Sequence, residues 1–254
     1  DTLIIAEPTT LTTYHNSTNV SCFGGNDAFI TLYNAGGTTD YIVSAFGYTL
    51  PLSGGLDSIA SSTIPLSNGV PAGTYPFIVT DANGCSTTDT VIITQPTPLT
   101  TSHNITNVSC FGGNDGAVTL YIHGGTTDYT VSAFGITLFL PGGVDSIASS
   151  NLPLPFGIPA GAYPFIVTDA NGCSTTNTVF ITQPNPITVL SSTQDVSCNG
   201  LSDGSATVSV SGGTPGYSYA WNTNPVQTTD TASGLDTGTY ICTITDSNLC
   251  ITTH

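Results

Sequence analysis

In the stretch GAVTLYIHGG (116–125), Val118, Leu120 and Ile122 alternate with Thr119 and Tyr121. Apolar residues at every second position predict a strand with one buried face. Ala206, Val208 and Val210 repeat the pattern further along. In GTYPFIVTDANGC (73–85), Tyr75, Phe77 and Val79 share a face, and Asn83-Gly84 signals a tight hairpin into the next strand. Pro76 and Pro164 fall within this candidate strand and its copy; lacking an N–H, they are expected at the strand's first residue. No eleven-residue window carries a helical period. The pattern predicts an all-β chain.

The pattern also recurs. VSCFGGND stands at 20–27 and again at 108–115, with VSCNGLSD at 196–203. Val20–Pro98 matches Val108–Pro186 at 60 of 79 positions. A fixed period of 88 residues marks a tandem array. The third copy is shorter, lacking an apolar segment that the others carry as GYTLPLSGGLDSIASS and GITLFLPGGVDSIASS. The runs LIIAEPTTL (3–11), VIITQPTPL (91–99) and VFITQPNPI (179–187) mark the joints. The expected organisation is residues 1–6 as the last strand of a preceding repeat, repeats at 7–95 and 96–183, and a shorter repeat at 184–254 truncated in its final strand. Pro96 and Pro98 favour extended backbone and limited bending, hence an elongated rod.

Composition narrows the function. The chain of 254 residues has no Lys or Arg and a formal charge of −16. Nucleic acids and anionic lipids are bound through cations that neutralise phosphate, so neither is an expected partner. No apolar run approaches a membrane span, so direct membrane insertion is not expected. The four histidines form no His-x-x-x-His, and there is no Gly-x-Ser-x-Gly; an enzyme is not expected.

Seven cysteines indicate an oxidising compartment. Six occupy equivalent places, two per copy. The simplest pairing lies within each copy: Cys22–Cys85, Cys110–Cys173 and Cys198–Cys250. A competing reading pairs cysteines of neighbouring copies, because in immunoglobulin topology the two positions can lie at opposite ends of one domain. A third leaves free thiols. The seventh, Cys242, aligns with Phe77 and Phe165 and reads as a buried free thiol.

About 88 residues per copy suit a seven-strand sandwich. DTGTYIC (236–242) resembles the tyrosine-corner strand of immunoglobulin domains, and Trp221 resembles their core tryptophan. The fold class expected is therefore a tandem array of immunoglobulin-like β-sandwich domains.

VSCNGLSDGSATVSVSGGTPGYSYAWNTNPVQTT followed by GTYICTITDSNLC is similar to the SprB-type repeat of large surface adhesins in gliding Bacteroidota. The first two copies keep VSC-x-GGND, GGTTDY and the DANGC hairpin but depart at the aromatic strand. The resemblance implies export by the type IX system, an extracellular location on the cell surface, and a shaft role in adhesion and gliding motility. Implied partners are neighbouring repeats, the gliding machinery at the cell surface, and external surfaces or polysaccharides gripped by other regions. It also brings in the O-glycosylation triplet D-[ST]-[AILVMT], found at Thr2, Ser58, Thr90, Ser146 and Thr231. No cofactor is expected. Calcium is the one candidate, at Asp27, Asp81, Asp115 and Asp169, with Asp203 and Asp246 in the third copy; such residues also make Asx turns without metal. A carbohydrate-binding module array, with Tyr33, Tyr121 and Tyr217 exposed to stack on sugars, is the alternative function.

Overall fold

A computed structural model describes residues 3–52, 58–60, 69–143, 146–148 and 157–254. The described residues form strands and turns without helices, gathered around three separate cores, one per repeat. In repeat 1, β1 (Thr12–Ser17), β2 (Ile30–Ala35) and β5 (Ser58–Ala60) make one sheet. The facing sheet has the order β4 (Tyr48–Leu52), β3 (Tyr41–Ala45), β6 (Gly73–Thr80), β7 (Ser86–Ile93). Every ladder pair is antiparallel.

Repeat 2 has the same plan. Its sheets are β12 (Ser146–Ala148), β9 (Ala117–His123), β8 (Thr100–Thr106), and β11 (Ile136–Leu140), β10 (Tyr129–Ala133), β13 (Gly161–Thr168), β14 (Ser174–Ile181). In repeat 3, β15 (Thr188–Gln194), β16 (Gly204–Ser211) and β18 (Thr231–Leu235) face β17 (Ser218–Trp221), β19 (Cys242–Thr245) and β20 (Ile251–Thr253). This is the immunoglobulin-like sandwich, and the additional apolar segment of the long copies has a visible role. It builds β4 and β11, which widen the second sheet to four strands.

The alternation read from sequence is the alternation of burial. Val118, Leu120 and Ile122 face the core of repeat 2, as Phe77 and Val79 do in repeat 1. Each such side chain removed from water contributes about 1.5–3 kcal/mol. Trp221 is buried, and its indole N–H donates to the carbonyl of Thr229 (2.9 Å). The tyrosine corner is present in all three copies. Tyr75, Tyr163 and Tyr240 donate to the carbonyls of Pro71, Pro159 and Asp236, each four residues back.

Pro76 and Pro164 are not first residues of their strands; each is the fourth. They pair outward with Thr90 and Thr178. On the other side, β3 engages β6 only from Ile78, and β10 engages β13 only from Phe165. The proline nitrogen therefore lies beyond the reach of that ladder, where a missing N–H leaves nothing unpaired. The chain turns away there through Phe46-Gly47 and Phe134-Gly135, all four residues with positive φ. A two-residue loop of this type matches the twist of the flanking strands. Phe46 is held in that conformation by its ring contacts with Tyr75 and Phe77 (centroids 4.8 and 5.6 Å).

One core position breaks the rule. Asn34 is 3% exposed, and neither its amide nitrogen nor its amide oxygen has a hydrogen-bond partner. Its counterparts are Ile122 and Val210. An unpartnered buried amide costs about 1–3 kcal/mol. Asn34→Ile is therefore expected to raise the melting temperature of repeat 1, which calorimetry of the variant will read.

Candidate functional site

Each repeat opens with an extended segment that lies across its own Gly-Gly turn. The N–H of Gly37, Gly125 and Gly213 donates to Thr9, Thr97 and Asn185 (2.8–2.9 Å). A Cβ on Gly36, Gly124 or Gly212 would sit 1.9–2.1 Å from the carbonyl oxygen of Thr10, Pro98 or Pro186. These glycines also have positive φ, so close approach and backbone conformation both demand glycine. Leu11 and Leu99 drop from the incoming segment into the cores below.

Beside that turn stands a buried carboxylate. Asp81 accepts from the N–H groups of Thr38 (3.0 Å), Asn83 (3.0 Å) and Cys85 (2.8 Å). Asp169 does the same for Thr126, Asn171 and Cys173, and Asp246 for Thr214, Asn248 and Cys250 (2.8–3.0 Å). The carboxylate thus fixes the hairpin that carries the second cysteine of each copy to the turn that receives the linker. At the opposite end of the sandwich, Asp27, Asp115 and Asp203 accept from the backbone N–H and hydroxyl of Ser21, Ser109 and Ser197. They close the loop that carries the first cysteine. The candidate calcium residues are thus occupied as turn acceptors. Among the described residues, no group of three or more His, Cys, Asp or Glu is placed to hold a metal ion.

These bonds hold the carboxyls of Asp27, Asp81, Asp115, Asp203 and Asp246 below the usual range. For Asp81 the main cause is the Thr38 N–H; for Asp27, Asp115 and Asp203 it is the serine hydroxyl. For Asp246, burial acts upward and is outweighed by N–H donors from Thr214, Cys250 and Asn248. A depressed folded pKa contributes stability that is complete above the unfolded value and lost as pH falls through the folded one. The melting temperature is expected to hold through mild acid and turn downward only below about pH 4. Calorimetry across that range measures it.

The cysteines do not pair within a copy. Cys22 is bonded to Cys173 and Cys110 to Cys250, with Cα atoms 5.6 and 5.7 Å apart. Cys85 and Cys198 are free and exposed, which corrects the expectation of Cys22–Cys85, Cys110–Cys173 and Cys198–Cys250. The reason is topological. The first cysteine lies between the first and second strands and the second between the sixth and seventh, so antiparallel strands put them at opposite ends. An eight-residue strand such as β6 separates those ends by more than about 20 Å, which no disulfide spans. Cys242 is a free, buried thiol; burial pushes its pKa up.

The bonds lock repeats head to tail. Beside each, an asparagine of the hairpin turn reaches across: Asn171 Nδ2 donates to the carbonyl of Ser21 and Asn248 Nδ2 to that of Ser109, both at 2.9 Å. Nothing in one copy's sequence signals this contact. Only the strand count, which puts DANGC and VSC at opposite ends, points to it.

The remaining candidates are dispersed. Tyr33 stacks on Tyr14 (centroids 4.9 Å). Tyr121 accepts weakly from Asn104. None of the three is exposed as expected: Tyr33 and Tyr121 are half-buried, and Tyr217 packs on the repeat 3 core and donates to the carbonyl of Gly212. His15 meets Asp89 at 2.7 Å. Thr90 is exposed on β7, whereas Thr231 is half-buried against Thr207. Thr2 and the side chains of Ser58 and Ser146 lie outside the described residues.

No curated protein matches the chain. Among solved structures, it is similar to the N-terminal eight immunoglobulin domains of the Down Syndrome Cell Adhesion Molecule (13% identity, TM-score 0.28). That match covers 91% of this chain, which spans 33% of that one. A tetra-tandem repeat in the extending region of a large adhesion protein shows 10% identity and a TM-score of 0.30, covering 96% and 73% of the two chains. The SGBP-B protein of a Bacteroides ovatus mixed-linkage glucan utilization locus, in complex with a mixed-linkage heptasaccharide, shows 14% identity and a TM-score of 0.20, covering 98% and 67%. The SprB repeat family model matches three times, at residues 15–41, 102–130 and 190–226. One match falls in each copy, over the segment between the linker and the middle strands, consistent with SprB-type repeats.

Proposed function

We propose that this array is part of the shaft of a large filamentous adhesin, exported by the type IX system and displayed on the cell surface for attachment and gliding. SprB repeats support a cell-surface repeat protein. The observation that carries the shaft reading is the joint: consecutive repeats are connected twice, by the linker and by a disulfide. A connection of this kind suits an element under tension. Disulfides also form and persist in oxidising compartments and are rare in the reducing cytosol. Antibody raised against the chain should decorate intact cells along filaments. Deleting these repeats from the full protein should shorten the filaments while leaving export intact. Unlabelled intact cells, with label appearing only after lysis, would exclude surface display.

The stacked pair Tyr14–Tyr33 favours a second reading, binding of a sugar ring, in repeat 1 alone. The equivalent first position holds Ser102 and Leu190 in the other copies. Selective retention on a glycan array that is lost in Tyr14→Ala would establish it.

A further inference from the structure

An asparagine followed by glycine is prone to self-modification, because no side chain keeps the glycine nitrogen from the asparagine amide carbon. The joint between repeats 1 and 2 is built on such a pair, Asn171-Gly172. In the closed joint both reacting groups are occupied. Asn171 Nδ2 donates to the Ser21 carbonyl of repeat 1 (2.9 Å) and to Thr126 Oγ1 (3.0 Å), which uses both of its hydrogens. The N–H of Gly172 donates to the carbonyl of Asp169 (3.0 Å). The Ser21 bond comes from the neighbouring repeat. It ties the residue before Cys22 to the residue two before Cys173, so it shares the fate of that disulfide.

The second joint makes the same contacts with different chemistry. Asn248 Nδ2 donates to the Ser109 carbonyl and Leu249 N–H to the Asp246 carbonyl, but the residue after the asparagine is leucine. Leu249 keeps the left-handed backbone of this turn, with φ 65° against 84° at Gly172. That conformation is unfavourable for leucine. Space does not demand glycine at this place: a Cβ on Gly172 would meet nothing within 4 Å. The two joints therefore share a shape and differ in reactivity. The side chain of Leu249 crowds the attack of its own nitrogen on the Asn248 amide.

We propose that Asn171 is a deamidation site gated by its joint: protected while Cys22–Cys173 is closed, and converted to aspartate or isoaspartate while the joint is open. The Gly172 nitrogen attacks the Asn171 amide carbon. A C–N bond forms, the bond to Nδ2 breaks, and Nδ2 leaves as ammonia with the proton of the Gly172 N–H. Water then opens the cyclic imide. Cleavage at the side-chain carbonyl gives aspartate. Cleavage at the backbone carbonyl gives isoaspartate, whose main chain is one carbon longer. Nothing is oxidised or reduced, and water is the only co-reactant. Either product loses the donor to the Ser21 carbonyl and sets a carboxylate against that oxygen. Isoaspartate also displaces Cys173, two residues on. An opened first joint thus loses with time the ability to reclose, whereas the second, built on Asn248-Leu249, keeps it.

The test incubates the whole chain at mildly alkaline pH, oxidised in one arm and held open by a dithiol in the other. Peptide maps from an Asp-directed protease read deamidation at Asn171 and Asn248. Reoxidation in glutathione buffer then reads which disulfides return. Asn171 is expected to deamidate severalfold faster in the open arm, with Asn248 slow in both. Recovery of Cys22–Cys173 should fall as the Asn171 products accumulate, while Cys110–Cys250 recovers fully. A Cys22→Ser/Cys173→Ser chain, oxidised at its other joint, should deamidate at the open-arm rate, which separates opening of this joint from general unfolding. Gly172→Leu should suppress the reaction and preserve reclosure. Equal rates in the two arms, or a closed-arm rate in Cys22→Ser/Cys173→Ser, would overturn the gating. Full return of Cys22–Cys173 in chains already modified at Asn171 would overturn the loss of the joint.

Discussion

Stretched from end to end under oxidising conditions, a Cys85→Ser/Cys198→Ser chain is expected to reach only about 320 Å, against about 890 Å once reduced. The shortest covalent route enters at Cys22, crosses to Cys173, runs back to Cys110 and crosses to Cys250. It uses residues 1–22, 110–173 and 250–254, which is 91 of the 254. Pairing within copies would leave this variant one bridge, Cys110–Cys173, and a route of 192 residues through 1–110 and 173–254, or about 670 Å. Single-molecule force spectroscopy separates the three lengths with ease. A value near 670 Å refutes the crossed pairing. The crossed bonds also bind the copies thermodynamically. Loops closed over separations of 151 and 140 residues each restrict the unfolded chain by about 5 kcal/mol in the chain-entropy model.

The second large effect is expected from Asp169→Ala. Thr126, Asn171 and Cys173 lose the acceptor of their N–H groups together. The three donors are part-buried, and each left unsatisfied costs up to about 1–3 kcal/mol. Repeat 2 should therefore melt more than about 10 °C lower, at the usual shift per kcal/mol for a domain of this size. The same hairpin presents Asn171 and Cys173 to repeat 1, so the yield of Cys22–Cys173 on refolding should fall while Cys110–Cys250 forms normally. Asp169→Asn should lie between, because its amide keeps one acceptor oxygen. Calorimetry and disulfide mapping read the two effects separately. Equal loss of both disulfides would show that the hairpin does not act on its own joint.

Much of the fold was legible because burial in a sandwich follows the side-chain period of a strand. Val118, Leu120 and Ile122 advertise their face, and Tyr240 and Trp221 sit where immunoglobulin-like packing needs them. Three features were not legible, each for a different reason. The disulfide partners were misread because spacing counts residues along the chain, whereas pairing depends on which end of the sandwich a loop occupies. Pro76 was misplaced because the length of its neighbour β3 decides whether a missing N–H matters, and that length is a tertiary property. Asn34 lies on the buried face of a regular strand, so alternation alone could not mark it as an orphan.

The crossed bonds also impose an order on assembly as the chain emerges. Cys22 has its partner 151 residues downstream, while Cys85 and Cys110 appear first. An unfolded chain oxidised at that moment would join Cys22 to the nearest thiol. Once the sandwich has folded, it holds Cys85 at the far end and protects Cys22 from that error. Each repeat must then carry a waiting thiol until its successor has folded and presented its hairpin. Closure of a joint thereby depends on the next domain, and a misfolded repeat leaves the thiol of the repeat before it open.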